Sequence, residues 1–97
     1  MKIDEAKRCV GPGWSKLLEE FFIRRDPGVQ VFGVKEKYGA LRIECTPSTD
    51  LEEEFEERST TICEECGQPG ELRDLNWIRT LCDEHYASRK FLGGSIS

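Results

Sequence analysis

Three thiols and one imidazole near the C-terminal end, Cys63, Cys66, Cys82 and His85, stand in a C-x2-C…C-x2-H pattern. Zinc prefers thiolate and imidazole donors, and a structural site fills all four tetrahedral positions with protein. The pattern therefore reads as one structural Zn2+ site with no position open to water or substrate. The fifteen residues Gly67 to Leu81 separate the two pairs and must fold back as a hairpin to bring both to one ion. Gly67, directly after Cys66, supplies the positive φ that a metal knuckle needs. Cys82 and His85, spaced i, i+3, share one face of a helix that they open. The competing reading is a set of disulfides or buried free thiols, and it leaves His85 without a role.

The elements that must position these ligands follow from periodicity. Trp14, Leu17, Leu18, Phe21 and Phe22 recur at helical spacing, which predicts a first helix over Trp14 to Arg25 that stops at Asp26-Pro27-Gly28. The β-rich runs Val29–Val34 and Ala40–Cys45, joined through Glu36-Lys37-Tyr38-Gly39, predict an antiparallel hairpin. Alternation places Leu41, Ile43 and Cys45 on the face covered by the helix, with Arg42 and Glu44 on the other. An acidic second helix follows over Asp50–Ser59, with Ser48 or Thr49 as its cap. Then come the Cys63 knuckle, strands at Glu71–Arg73 and Trp77–Leu81, and a closing helix from Asp83 to Phe91.

The expected fold class is therefore α+β, a small single domain. A helix packs on an antiparallel hairpin, an acidic helix follows, and a treble-clef-like zinc finger closes the chain. Its expected parts are an α-β-β-α subdomain over 1–61, a zinc-finger subdomain over 62–92 and a disordered tail over 93–97.

A chain of 97 residues buries only about 60 to 65 % of its unfolded surface, so a metal staple matters to its stability. Structural zinc supplies on the order of 10 kcal/mol of binding free energy that becomes folding free energy. Removing it is expected to unfold at least the C-terminal third. Cys9 and Cys45 read as small buried side chains, and an odd count of five cysteines fits a reducing compartment. Neither reads as a nucleophile, because the sole His is committed to the metal. No apolar run approaches the roughly 20 residues of a membrane span, and the charged N-terminus lacks the apolar core of a signal peptide; a cytosolic protein is expected.

With 19 acidic against 14 basic residues the formal charge is −5, and the basic residues are dispersed among acids, so direct nucleic-acid binding is not expected. Six carboxylates fall between Asp50 and Glu57, a span of about 11 Å on a helix, where duplex DNA carries about six charges in about 10 Å. Two readings stand. In one, Glu53, Glu56 and Glu57 mimic nucleic acid toward a partner; in the other, the helix is simply a solvated face. Tyr38 likewise has two readings, a partner contact at an exposed hairpin tip or a ring packed at the edge of the core.

The ordered set Gly11-x-Gly13-Trp14, Val34-Lys35-Glu36-Lys37-Tyr38-Gly39-x-Leu41-Arg42, Cys63-x-x-Cys66-Gly67-x-Pro69-Gly70 and Trp77-x-x-Thr80-Leu81-Cys82-x-x-His85 resembles a family of small zinc proteins encoded by phages and prophages. The resemblance covers most of the chain. It implies a phage or prophage origin, and with it the cytosol of a bacterial host, more than it implies a mechanism. A small acidic phage zinc protein also looks like some anti-CRISPR proteins, including a zinc-containing inhibitor of type II-A Cas9.

The function expected on these grounds is non-enzymatic. The protein binds a bacterial defence nuclease such as Cas9 and blocks its nucleic-acid loading through protein contacts, since Cas9 presents a positively charged channel. The alternative is a zinc-ribbon nucleic-acid binder or transcription regulator, in which Arg73, Arg79, Arg89 and Lys90 would gather on one face. A nuclease of the HNH type fares worst, because it needs a general base and metal-binding side chains beyond the structural quartet.

Overall fold

A computed structural model describes residues 1–75 and 77–96, and residues 90–96 by backbone alone. The chain runs through α1 (Ile3–Arg8), α2 (Ser15–Arg24), β1 (Gln30–Lys37), β2 (Ala40–Thr46), α3 (Leu51–Ser59), β3 (Glu71–Asp74), β4 (Ile78–Leu81) and α4 (Asp83–Ile96). The strands form two separate antiparallel hairpins, β1-β2 and β3-β4. The α+β architecture with two hairpins is thus the observed one. No described helix is long and apolar enough to cross a membrane.

The first helix differs from expectation at its start. Pro12–Trp14 form a 3-10 turn, and α2 begins only at Ser15. Pro12 fixes the backbone dihedral that a first helical position tolerates, so the tight turn forms before the regular helix. Its apolar stripe does face the core: Trp14, Leu17, Leu18 and Phe21 are all buried. The short α1, absent from the sequence reading, adds Ala6 to the same cluster. Its N-cap, Lys2, makes no side-chain cap, so no capping signal announced it.

Hairpin β1-β2 pairs Val34 with Ile43 and Glu36 with Leu41, with an irregularity between Val31 and Gly33 that leaves Phe32 exposed. Leu41 and Ile43 face inward as expected, and the core they enter also holds Leu18 and Phe21 of α2 and Phe55 of α3. The helix that runs along β2 is the acidic α3. Its single aromatic, Phe55, is fully buried and meets Phe21 edge-on at 5.5 Å, a geometry favoured by the ring quadrupoles.

The N-terminus of α3 is closed by a reciprocal pair. The Leu51 N–H donates to Thr49 Oγ1 at 3.3 Å, and the Thr49 N–H donates to Glu52 Oε1 at 2.8 Å. This capping box satisfies donors that a helix start otherwise leaves open. Two arginines then clamp α3 to α2. Arg58 meets Glu20 at 2.6 and 3.1 Å, Arg24 meets Glu54 at 2.7 Å, and both guanidinium groups lie over the Phe55 ring at 4.8 and 5.4 Å.

Two expectations about single residues need correction. Cys9 is exposed and Cys45 only partly buried; Cys9 sits at the end of α1, where its thiol donates to the Glu5 carbonyl instead of entering the core. Trp77 does not belong to a strand, because Asp74 pairs with Ile78 and leaves Trp77 in the turn, 65 % exposed. The backbone of Gly93–Ile96, expected as a disordered tail, continues α4; glycines inside a helix cost about 1 kcal/mol each without forbidding it. Ser97, the end of that expected tail, lies outside the described residues.

Candidate metal centre

Cys63 and Cys66 flank a knuckle whose last residue, Gly67, has φ +83° and donates its N–H to the Cys63 carbonyl at 2.9 Å. A side chain at that φ strains the backbone, so glycine closes the turn. Cys82 sits immediately before α4 and serves as its cap. Its carbonyl accepts the Tyr86 N–H at 2.8 Å, and its sulfur accepts the His85 N–H at 3.4 Å. The first turn of α4 thereby points His85 back across the knuckle.

The four ligand atoms lie within 4.8 Å of one another. Cys82 Sγ and His85 Nδ1 are 3.2 Å apart, Cys63 Sγ and His85 Nδ1 3.6 Å, and Cys66 Sγ and Cys82 Sγ 3.8 Å. With Zn–S near about 2.3 Å and Zn–N near about 2.0 Å, a tetrahedron has edges of about 3.8 Å between sulfurs and about 3.5 Å between sulfur and nitrogen. Three of the separations thus match the edges of a tetrahedral site, and the cluster could hold a metal ion with Nδ1 as the imidazole donor.

Electrostatics agree with this donor set. Burial resists ionisation of Cys63, yet the backbone N–H groups of Cys82, Glu65 and Cys66 outweigh it and bring the thiol to about 7. At Cys66 the Gln68 N–H favours the thiolate, but burial and the sulfurs of Cys63 and Cys82 push the thiol up. Three sulfurs this close cannot all ionise comfortably without a cation among them, and a bound divalent ion removes that conflict. Glu65 Oε2 stands 3.9 Å from His85 Nε2 and pairs with Arg89, so a carboxylate backs the imidazole on the side away from the sulfurs. Neither Glu65 nor Arg89 was legible as part of the site, since a single carboxylate among nineteen acids carries no positional signal.

The knuckle is built into the rest of the fold. The Gly13 N–H donates to the Glu64 carbonyl at 2.8 Å, and the Trp14 indole donates to the Ile62 carbonyl at 2.9 Å. A Cβ at Gly13 would meet the Cys63 oxygen at 2.0 Å. The Gly11-x-Gly13-Trp14 sequence is therefore the socket in which the metal knuckle sits. On the other side, Thr80 Oγ1 donates to the Gly39 carbonyl at 2.6 Å, which ties β4 to the tip of the first hairpin.

The surface residues singled out by sequence divide. Tyr38 is 70 % exposed, which removes the reading that packs it at the core edge. Of the three glutamates, Glu56 pairs with Arg42 at 3.2 Å, while Glu53 and Glu57 are exposed and make no ion pair among the described residues. Glu52 is turned into the cap and Glu54 toward Arg24, so the six carboxylates do not form one continuous charged ridge.

No family model, curated protein or solved structure matches the chain. Function has to be argued from the residues themselves.

Proposed function

We propose that the chain is a zinc-stapled binding protein, with a treble-clef-like C-terminal finger, that acts by covering the cationic nucleic-acid surface of a bacterial nuclease, Cas9 being the member of that class to test first. The observation that supports the non-catalytic half of this reading is the convergence of Cys63, Cys66, Cys82 and His85, whose four donor atoms lie within 4.8 Å of one another. Such a site holds structure and leaves no coordination position for substrate. The sole His of the chain is among the donors, so it is not available as a general base.

The binding half rests on surface chemistry. The net charge of −5 suits a positively charged partner, and Glu53 and Glu57 extend from α3 one turn apart. The resemblance to phage-encoded zinc proteins supports the choice of a host defence protein as partner. The alternative of a nucleic-acid-binding ribbon is weakened by what its arginines do: Arg73 pairs with Asp83 at 2.7 Å, Arg79 with Glu64 at 2.7 Å, and Arg89 with Glu65. Their charge is met within the chain and is not free for phosphate.

The test mixes the zinc-loaded protein with guide-loaded Cas9. Co-elution and protection of target DNA are expected, and both should weaken when Glu53→Lys and Glu57→Lys are combined. Separate elution with full DNA cleavage would end the assignment of Cas9, and a salt-sensitive gel shift with DNA alone would replace it with the nucleic-acid reading.

A further inference from the structure

The first hairpin tip and the β3-β4 turn leave a cleft of about 570 Å³ lined by Tyr38, Leu75, Trp77 and Ile78, with two carboxylates, Glu36 and Asp74, and one cation, Lys37. Tyr38 and Trp77 are 70 % and 65 % exposed, while the other tryptophan, Trp14, is fully buried. Exposed aromatics gathered at one concave site are the usual anchors of protein interfaces.

The backbone holds this site open at a cost. Tyr38 has φ +54° and Gly39 φ +80°, so the turn is of the kind that takes Asn-Gly by preference. A non-glycine residue in that conformation is uncommon, and here it displays the ring to solvent. The tip is also locked in place. Glu36 Oε2 accepts the Gly39 N–H at 2.8 Å, and the buried Thr80 hydroxyl donates to the Gly39 carbonyl. The walls of the cleft are thus related to each other before any partner arrives, which lowers the entropy lost on binding.

We propose that this cleft docks an arginine side chain, flanked by apolar residues, from a partner protein. Two exposed aromatic rings and two carboxylates against a single lysine in one cleft suit a guanidinium, which stacks on rings and pairs with carboxylates in one plane. The Tyr38 ring already accepts a cation from its own chain: Lys37 Nζ lies 5.7 Å from its centroid. A second copy of the chain is a poor occupant, because a two-fold contact at this cleft would set Glu36 and Asp74 against their own copies. Nucleic acid is disfavoured by the same carboxylates. The proposal deepens the binding reading above by naming the chemistry of one contact, and it does not require the partner to be Cas9.

The probe is a blocked pentapeptide with one arginine between leucines, titrated into the 15N-labelled zinc-loaded protein, with a glutamate-for-arginine peptide as control. Saturable shifts at Tyr38, Gly39, Asp74 and the Trp77 indole are expected at millimolar peptide, weakened at least threefold by Asp74→Asn and by 0.5 M salt. Tyr38→Ala should abolish them, with melting unchanged. No saturation, an equal response to the glutamate peptide, or the same shifts on raising protein concentration without peptide would overturn the proposal, the last in favour of a second copy. Failure of Cas9 to co-elute with the peptide response intact would discard the named partner and leave the cleft standing.

Discussion

The indole Nε1–H of Trp14 donates to the carbonyl of Ile62 at 2.9 Å, one residue before Cys63, the first of the four candidate metal donors. The largest side chain of the helical core is thereby tied to the segment that begins the knuckle. A second contact, the Gly13 N–H to the Glu64 carbonyl at 2.8 Å, lies beside it, so the Pro12–Trp14 turn that leads into α2 and the knuckle position each other. Loss of the metal should then be felt in the helical core as well as in the finger, and the expectation that chelation affects at least the C-terminal third extends to Trp14.

Gly13→Ala tests the socket. Its Cβ would lie 2.0 Å from the Cys63 oxygen and 2.6 Å from the Glu64 carbonyl carbon, both backbone atoms. They cannot move aside without moving the knuckle, so destabilisation of about 3 kcal/mol or more is expected. Gly28→Ala has nothing within 4 Å of its Cβ, and its effect should stay within about 0.5 kcal/mol. Urea unfolding of both variants checks the contrast; equal midpoints would refute the socket.

Glu52→Gln tests the cap of α3 and carries a pH signature. Burial opposes the charge on Glu52, but the hydroxyls of Ser48 and Thr49 and the N–H groups of Glu52 and Thr49 outweigh it and hold the carboxyl at about 2, against an ordinary 4.5. A folded-state pKa below the unfolded one gives stability that is fully present above 4.5 and is lost as pH falls toward 2. At pH 7 the variant should lose about 1 kcal/mol. The Tm gap between wild type and variant, compared at matched pH so that metal release affects both, should shrink below 4.5; a gap independent of pH contradicts the cap.

The α2–α3 clamp should respond to both acid and salt. Glu20 is held at about 2 by hydrogen bonds from Arg58 and Arg24, which outweigh its burial, so its contribution also fades as pH falls from 4.5 toward 2. Because the clamp is exposed, Glu20→Gln should lower the Tm at low salt and lower it less at 1 M salt. Thermal unfolding at two ionic strengths measures the difference, and a salt-independent loss would assign Glu20 a packing role instead.

How much of this was legible in the sequence depended on whether the signal was local. Cys63, Cys66, Cys82 and His85 announced themselves because ligand chemistry constrains residue type and spacing together, and Gly67 behaved as a knuckle requires. The stripe from Trp14 to Phe21 and the alternation at Leu41 and Ile43 likewise depend only on near neighbours. The roles of Gly13 and of Trp77 were not legible, since each depends on a segment far along the chain: the Cys63 knuckle for one and the Tyr38 turn for the other. The pairing along the acidic helix was hidden for the same reason. Counting carboxylates from Asp50 to Glu57 does not reveal that Glu52 turns into the cap at Thr49 and that Glu54 and Glu56 pair with Arg24 and Arg42.

Mass spectrometry of the purified protein under native conditions, with tryptophan fluorescence followed as chelator is added, addresses the central claim. One zinc ion per chain and no disulfide are expected. Removal of the ion should shift the emission of the buried Trp14 to the red in the same transition that loses helical signal. A protein that folds without metal, or that carries Cys63, Cys66 and Cys82 in disulfides, would contradict it.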